Sequence, residues 1–584
     1  MTVPFNIFCV SDLATTSFPE GIEHVLGPFL PEEGISPVLE RISPSLFLKV
    51  PDWRSRDESA PELTVSLRLR SPRSFRPRGV ADEVPGLSTL IELSERIKDV
   101  KKKRAGKDSL VPLVEELTGT GITSLVSERA SGESASKPDE GDRYSAGKED
   151  ILDILFQLVD TGKDTGERTI GSIPPEFSGQ HIDLFELLHQ AGDYLGKSAG
   201  SFGLDPWLSR LATACQAKID QVLSHIYGAD EFHRIERSWF GLKFLLDQVP
   251  KGTDVRIYVV PFAGQNGLHI LEELAQDKWP LETPQRPSVI LFDWNFDIGP
   301  PSVQLLQGIS GLAATNMIPV VCSAWLGFFG VDTWQRFNRL PYLPTRFSEP
   351  GFAALRTLRS SDDARWLAIG FNQVLLRPLY NRDYIRDGLL FNQPAQQALW
   401  GGAVWAIGAL VAKGFVASGW PYVPTGPGGI VLEDLSVSPG LAGYMPLRYP
   451  VSEQRAMELS DCGLISIVCA PGKDRAWAFA APVFFGPIDR RDPEIRDQCS
   501  LNYQLFITRF LRLLEAASKL IPAELTDSEL SVLMTQIIGA WIGDQRVEAT
   551  VRPAKGGRVL KVKIHRVPHL SGGTGLVLET SVPG

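Results

Sequence analysis

Six cysteines in 584 residues, with no two at a pairing or chelating spacing, exclude a disulfide framework and a cysteine-rich metal site. Cys9, Cys215, Cys322, Cys462, Cys469 and Cys499 lie mostly among apolar neighbours, as reduced, buried thiols do. Histidine is almost as scarce at eight, and His225 and His233 lack the His-Glu-x-x-His frame that would bring two imidazoles to one metal. A phosphate loop is missing too, since Gly162-Lys163 and Gly472-Lys473 are each followed by aspartate and lack the required glycine spacing. There is no Gly-x-Ser-x-Gly elbow, and the glycine-rich stretches at 425–430 and 571–575 read as turns. No catalytic residue, metal ligand or cofactor-binding residue is therefore expected.

Long apolar runs are also wanting. The most membrane-like segment, 400–420, is interrupted by Lys413, which leaves it short of the ~20 residues a span needs. It reads as a buried core helix whose glycines, Gly401, Gly402, Gly408 and Gly414, permit close approach by another helix. The opening residues lack a basic stretch, so no secretion signal is expected. A formal net charge of −10 argues against nucleic acid as the main partner. With 43% apolar and 22% charged residues, the chain has ordinary globular composition, and its length predicts two to four domains.

What is present is an alternation of strand and helix signals. Phe5 to Val10 and Leu46 to Val50 read as strands, and 62–70 alternates strictly, with Leu63, Val65, Leu67 and Leu69 on one face. Leu87, Leu90, Ile91, Ser94, Ile97 and Lys101 recur at helical spacing. The polar stretch 127–148 reads as a flexible linker, followed by a short amphipathic helix at 149–160. A longer helix at 230–247 places Phe232, Ile235, Trp239, Leu242 and Leu246 on one face. Strand, helix and strand then alternate from 255 to 322, predicting a partly parallel sheet with covering helices. Helices at 503–516 and 528–542 precede two strand-like segments, 559–564 and 575–580. The fold class is α/β with mixed α+β elements.

Asp293 and Asp297 form the best carboxylate pair, because acids at a strand's C-terminal end occupy the usual active-site rim of such sheets. Turn formation and helix capping before Pro300 is the favoured reading, and an α/β hydrolase the lesser one. Arg68, Arg70, Arg73, Arg76 and Arg78 make a basic run without interleaved aromatics beyond Phe75, a solvated face or a site for an acidic partner.

These residues resemble the contractile sheath proteins of type VI secretion systems, with both subunits joined in one polypeptide. Residues 4–125 resemble the small subunit (TssB, VipA-like) through the early Pro-Phe-x-Ile strand, the segment 42–51, the alternating strand, 74–77 and the Val-Pro-Gly-Leu at 84–87. Residues 149–584 resemble the large subunit (TssC, VipB-like) through 232–242, Phe-Asp-Trp-Asn-Phe-Asp at 292–297, 355–366 and Leu-Trp-Gly-Gly-Ala at 399–403. Two departures stand out. The family usually has arginine where this chain has Phe240, and asparagine where it has Gly402.

The resemblance implies a non-enzymatic cytoplasmic protein that polymerises helically around an Hcp-like inner tube, contacts baseplate components and contracts to propel the tube. It also implies recycling by a ClpV-like AAA+ unfoldase that recognises a short helix, matched here by Ile151, Leu152, Ile154, Leu155 and Leu158. Strands donated between subunits are matched by Phe5 and Ile7 and by a C-terminal strand pair carrying Val559, Val562, Ile564, Leu576 and Leu578. Arg73 and Arg76 are the residues expected to face an acidic tube. The expected organisation is a small sheath domain at 1–126, a linker at 127–148, a docking helix and connector at 149–200, a large sheath domain at 201–545 and a β-ribbon at 546–584. The alternatives are a non-polymerising adaptor and a tail-sheath-like component of another contractile injection system.

Overall fold

The computed structural model describes residues 3–14, 25–53, 62–119, 183–195, 204–262, 267–279, 285–381, 389–440, 443–486, 493–519, 525–543, 546–554, 557–570 and 575–582. Two compact units interleave along the chain: residues 1–50, 62–83 and 223–584 form one, and 51–61 with 84–222 the other. The predicted linker and the helix carrying Ile151 to Leu158 lie outside the described residues.

The first unit is built on an eight-stranded sheet. Its strands are β1 (Phe5–Ser11), β2 (Leu26–Phe29), β5 (Val255–Pro261), β6 (Val289–Phe296), β7 (Val320–Ala324), β8 (Leu367–Phe371), β13 (Leu464–Cys469) and β14 (Ala476–Ala478). They lie in the order β14-β13-β8-β7-β6-β1-β5-β2. The inner pairings are parallel, and only β14 and β2 at the edges run antiparallel. Central parallel strands are covered on both faces, so they need uninterrupted apolar sequence, and every residue of β1 is buried.

Two short antiparallel pairs accompany this sheet, β9 (Gln373–Leu375) with β10 (Trp400–Gly402) and β11 (Ser438–Gly440) with β12 (Gly443–Met445). A hairpin, β3 (Ser45–Val50) with β4 (Leu63–Arg68), buries Leu46, Leu48, Val50, Val65 and Leu67 as the alternation predicts.

Helices accompany the sheet, among them α3 (Asp230–Gln248), α4 (Gly267–Lys278), α5 (Pro300–Asn316), α6 (Ala403–Ser418) and α7 (Leu501–Ser518). In α3, Phe232, Ile235, Trp239, Leu242 and Leu246 are buried together. Helix α6 is the predicted core helix, and its glycines do admit close neighbours, but of a different kind. A Cβ on Gly408 would lie 2.3 Å from Leu291 of β6, and one on Gly414 2.3 Å from the Tyr422 carbonyl. The helix-to-helix approach depends on a glycine of α3 instead: a Cβ on Gly241 would lie 2.2 Å from Trp405 Nε1.

At the C-terminal end a three-stranded antiparallel sheet, β15 (Val547–Ala554), β16 (Gly557–Ile564) and β17 (Leu576–Val582), packs on helix α8 (Asp527–Ile542). A strand pair was expected; β15 is the additional member. Leu530, Met534 and Ile538 of α8 meet Val547, Ala549, Val551, Leu560 and Val562 in one apolar cluster.

Among its described residues the second unit is helical. Helix α1 (Leu87–Lys101) buries Leu87, Leu90, Ile91, Ser94 and Ile97, the face its spacing predicts. Trp207, on helix α2 (Leu204–Gly228), stacks on Tyr194 at 5.2 Å and donates its indole N–H to the Leu187 carbonyl at 3.2 Å.

Candidate assembly surfaces

The N-terminal strand, expected to be free for a neighbouring subunit, is paired within this chain. Phe5 and Ile7 are fully buried, and β1 pairs with β5 on one side and β6 on the other. Both rows of backbone groups are thus engaged within the chain, so no edge is left to donate. Side chains secure the strand as well. The Asn6 amide donates to the Arg286 carbonyl at 3.0 Å, and Arg509 of α7 donates to the Val3 and Pro4 carbonyls. Arg286, Arg509 and Arg512 are all buried. Burial, with repulsion from Arg512, pulls Arg286 and Arg509 down to about 10, and burial does the same for Arg512 itself.

The C-terminal sheet distributes its expected residues differently. Val559, Val562 and Ile564 lie on the central strand β16, paired on both sides, while Leu576 and Leu578 lie on β17 at the sheet's edge. The opposite edge is capped by α8: Thr535 Oγ1 accepts from Ala549 N at 3.0 Å, and Ser531 Oγ accepts from Val551 N at 2.8 Å. Among the described residues β17 has no second partner strand, so it is the edge left for pairing.

Arg73 is exposed, and Arg76 lines a cavity of about 280 Å³ with Phe240, Lys243, Asp247, Arg377 and Tyr380. Beneath it lies a buried ion pair that sequence reasoning missed. Arg377 donates from Nε and Nη2 to the two oxygens of Glu236 at 2.8 and 3.0 Å and from Nη1 to Gln393 Oε1 at 2.9 Å. Burial alone pushes the Arg377 pKa down, but the Glu236 carboxylate and the neighbouring tyrosines more than offset it, so the guanidinium stays firmly charged. The signal available in the sequence was Glu236 beside Ile235 and Trp239, among the mostly apolar buried residues of α3.

The two departures from the family pattern occupy built sites. Phe240 packs edge-on against Phe75 at 5.8 Å. At Gly402 a Cβ would sit 2.5 Å from Ser323 Oγ, the atom that accepts from Val404 N at the start of α6. A side chain at 402 would displace that contact.

Asp293 and Asp297 are employed structurally. Asp293 Oδ2 accepts from Ser11 Oγ at 2.8 Å and Ser238 Oγ at 3.0 Å, tying β6 to β1 and α3. Asp297 accepts from Gly299 N at 2.8 Å in the turn before α5. The thiols nearby are inert: burial, then the Asp293 charge, raises Cys9 far above the ordinary thiol range, and burial does the same for Cys322. Among the described residues no group of three His, Cys, Asp or Glu could hold a metal ion.

Comparison with known families finds two matching segments in this chain. Residues 2–121 match the family described as Type VI secretion system, VipA, VC_A0107 or Hcp2. Residues 285–484 match VipB, the EvpB/VC_A0108 tail sheath N-terminal domain. Segments matching both families, VipA and the VipB sheath domain, lie in one polypeptide. The large sheet belongs to both, since the VipA segment supplies β1 and β2 and the VipB segment supplies β6, β7, β8, β13 and β14.

A curated relative is the type VI secretion system sheath protein TssC1 of Pseudomonas aeruginosa, 20% identical over 337 residues. That match takes in 51% of this chain and 65% of TssC1, just under two thirds of the relative's length. Among solved structures, the contracted helical sheath of the anti-feeding prophage aligns with 59% of this chain and 78% of its own at 12% identity and a TM-score of 0.32. The six-fold symmetrised baseplate of the same particle aligns with 59% and 77% at 11% identity, also at 0.32. Superpositions this loose add nothing to the strand order given above.

Proposed function

We propose that this chain is the structural protomer of a type VI secretion contractile sheath, polymerising helically around an inner tube and contracting to propel it. The observation that carries the reading is the union of VipA and VipB segments in one sheet, with the VipA strand β1 between β5 and the VipB strand β6. Joining the two halves covalently enforces their equal numbers. The work of contraction then comes from repacking many identical interfaces and not from bond chemistry, consistent with the structural tasks held by Asp293 and Asp297. No helix among the described residues is long and apolar enough to cross a membrane, and the reading places the protein in the cytoplasm.

The partners are further copies of the chain, an Hcp-like inner tube, baseplate components and a ClpV-like unfoldase. Edge strand β17, with Leu576 and Leu578, is the candidate for strand exchange between copies. Arg73 and Arg76 are assigned to the tube side; reversing both charges would weaken tube-sheath assembly at low salt, and unchanged assembly refutes the assignment. The deciding experiment is negative-stain electron microscopy of the chain alone and co-expressed with an inner-tube protein. Hollow tubes with a cogwheel cross-section are expected. Discrete particles in both conditions would establish a non-polymerising adaptor instead.

A further inference from the structure

Phe47 is the most exposed large apolar side chain among the described residues, at 64% of its surface. It stands on the outer face of the β3–β4 hairpin, because its neighbours Leu46 and Leu48 point into the core. In register on that face are Ser66 opposite Phe47, Lys49 opposite Thr64, and Ser45 opposite Arg68. These paired residues supply one aromatic ring, two cations and three hydroxyls, and Glu62 at one end of the segment is offset by Arg70 at the other, so the face is cationic on a chain whose formal net charge is −10.

Helix α8 offers the converse surface. Its inward stripe, Leu530, Met534 and Ile538, is used against the C-terminal sheet. On its outer side Val532 is 59% exposed, and Ser528, Glu529, Val532, Leu533 and Gln536 line a shallow groove of about 360 Å³. Two acids, Asp527 and Glu529, stand at the head of that groove. Asp527 already pairs with Arg558 at 2.9 Å, so Glu529 supplies the groove's own negative charge. Glu529 closes a capping box with Thr526, whose amide and hydroxyl donate to Oε2 at 2.9 and 2.7 Å, so the carboxylate is fixed in place.

A cationic face bearing an aromatic knob repels a copy of itself and attracts an acidic, apolar groove. Such a contact joins two different surfaces of identical chains, so it repeats from copy to copy without closing. We infer that Phe47 of one copy seats in the Val532 groove on α8 of the next, with Lys49 and Arg68 directed to its Asp527 and Glu529 end. The inference rests on the sheath reading and names one contact within that polymer.

The test is site-directed cross-linking of the full chain during assembly, with a short bismaleimide and the wild-type chain as control for its own cysteines. Phe47→Cys and Val532→Cys are both at exposed positions and leave the fold intact. The doubly substituted chain should give a ladder of multimers on a denaturing gel, and the two single variants mixed together should give dimers only. Phe47→Ser should raise the concentration needed for assembly by roughly tenfold, as loss of one anchoring aromatic does. Cross-linking of the Phe47→Cys variant to itself would overturn the inference, as would tubes of the double variant that form normally without any product linking its two introduced thiols. If the wild-type chain forms no polymer at all, the sheath reading itself fails and this contact falls with it.

Discussion

Replacing Arg377 with methionine removes the cation from a pair in which both partners are almost wholly enclosed, Glu236 at 1% and Arg377 at 5% side-chain exposure. What remains is a carboxylate on α3 that has lost two hydrogen bonds of 2.8 and 3.0 Å in an environment closed to water. Stranding a buried charge in this way costs about 3–5 kcal/mol. That is a large share of the ~5–15 kcal/mol by which a domain is stable. Replacing both partners, Glu236→Leu with Arg377→Met, removes the charge problem and costs much less. The Gln393 acceptor freed by the change still takes the Tyr380 amide at 3.3 Å. Urea denaturation followed by tryptophan fluorescence suits the measurement, because Trp239 and Trp405 are fully buried in the same unit. The double variant should unfold at a higher urea concentration than Arg377→Met alone, with a coupling of at least ~1 kcal/mol. Additive losses, with coupling below ~0.5 kcal/mol, would show that the pair is not acting as a buried ion pair.

Gly241→Ala should destabilise the α3–α6 contact by ~1–3 kcal/mol, since the added methyl meets the rigid Trp405 indole, and a melting temperature within error of wild type would refute that packing. The Glu529 carboxyl is held below its ordinary pKa chiefly by its hydrogen bonds to the Thr526 hydroxyl and amide. Its cap on α8 is accordingly at full strength above the ordinary carboxylate range and is lost as pH falls through the lowered folded value; Thr526→Ala, which removes the hydroxyl donor and keeps the amide, should weaken that pH dependence of C-terminal hydrogen exchange. In the proposed recycling step, Leu155→Asp should leave polymerisation intact and abolish co-sedimentation with the unfoldase; unchanged co-sedimentation would refute the role given to that helix.

Local periodicity carried much of the fold. The alternation at 63–69, the stripe on α3 and the face of α1 were all legible, because burial on one side of an element imposes a period of two or of three to four on nearby residues. The additional strand β15 also has a period-two pattern, Val547, Ala549 and Val551 against Glu548, Thr550 and Arg552, but the run is short and Pro553 interrupts it, so it does not stand out as a strand. The candidate assembly residues were legible as strand members but not as edges or centres. The largely apolar character of Phe5 to Val10, compatible with either place, was a property of the strand itself. Its position between β5 and β6, whose partners lie some 250 and 280 residues away, depends on which backbones compete for those hydrogen bonds. The same holds for Glu236 and Arg377, 141 residues apart, and for Gly241 beneath Trp405. The sequence alone determined most of the buried faces and most of the strands and helices, and it carried the resemblance to both sheath subunits in one chain. Only the tertiary structure decided which strand edges are filled and which buried charges meet, because those are settled by long-range pairing that leaves no periodic trace in the chain.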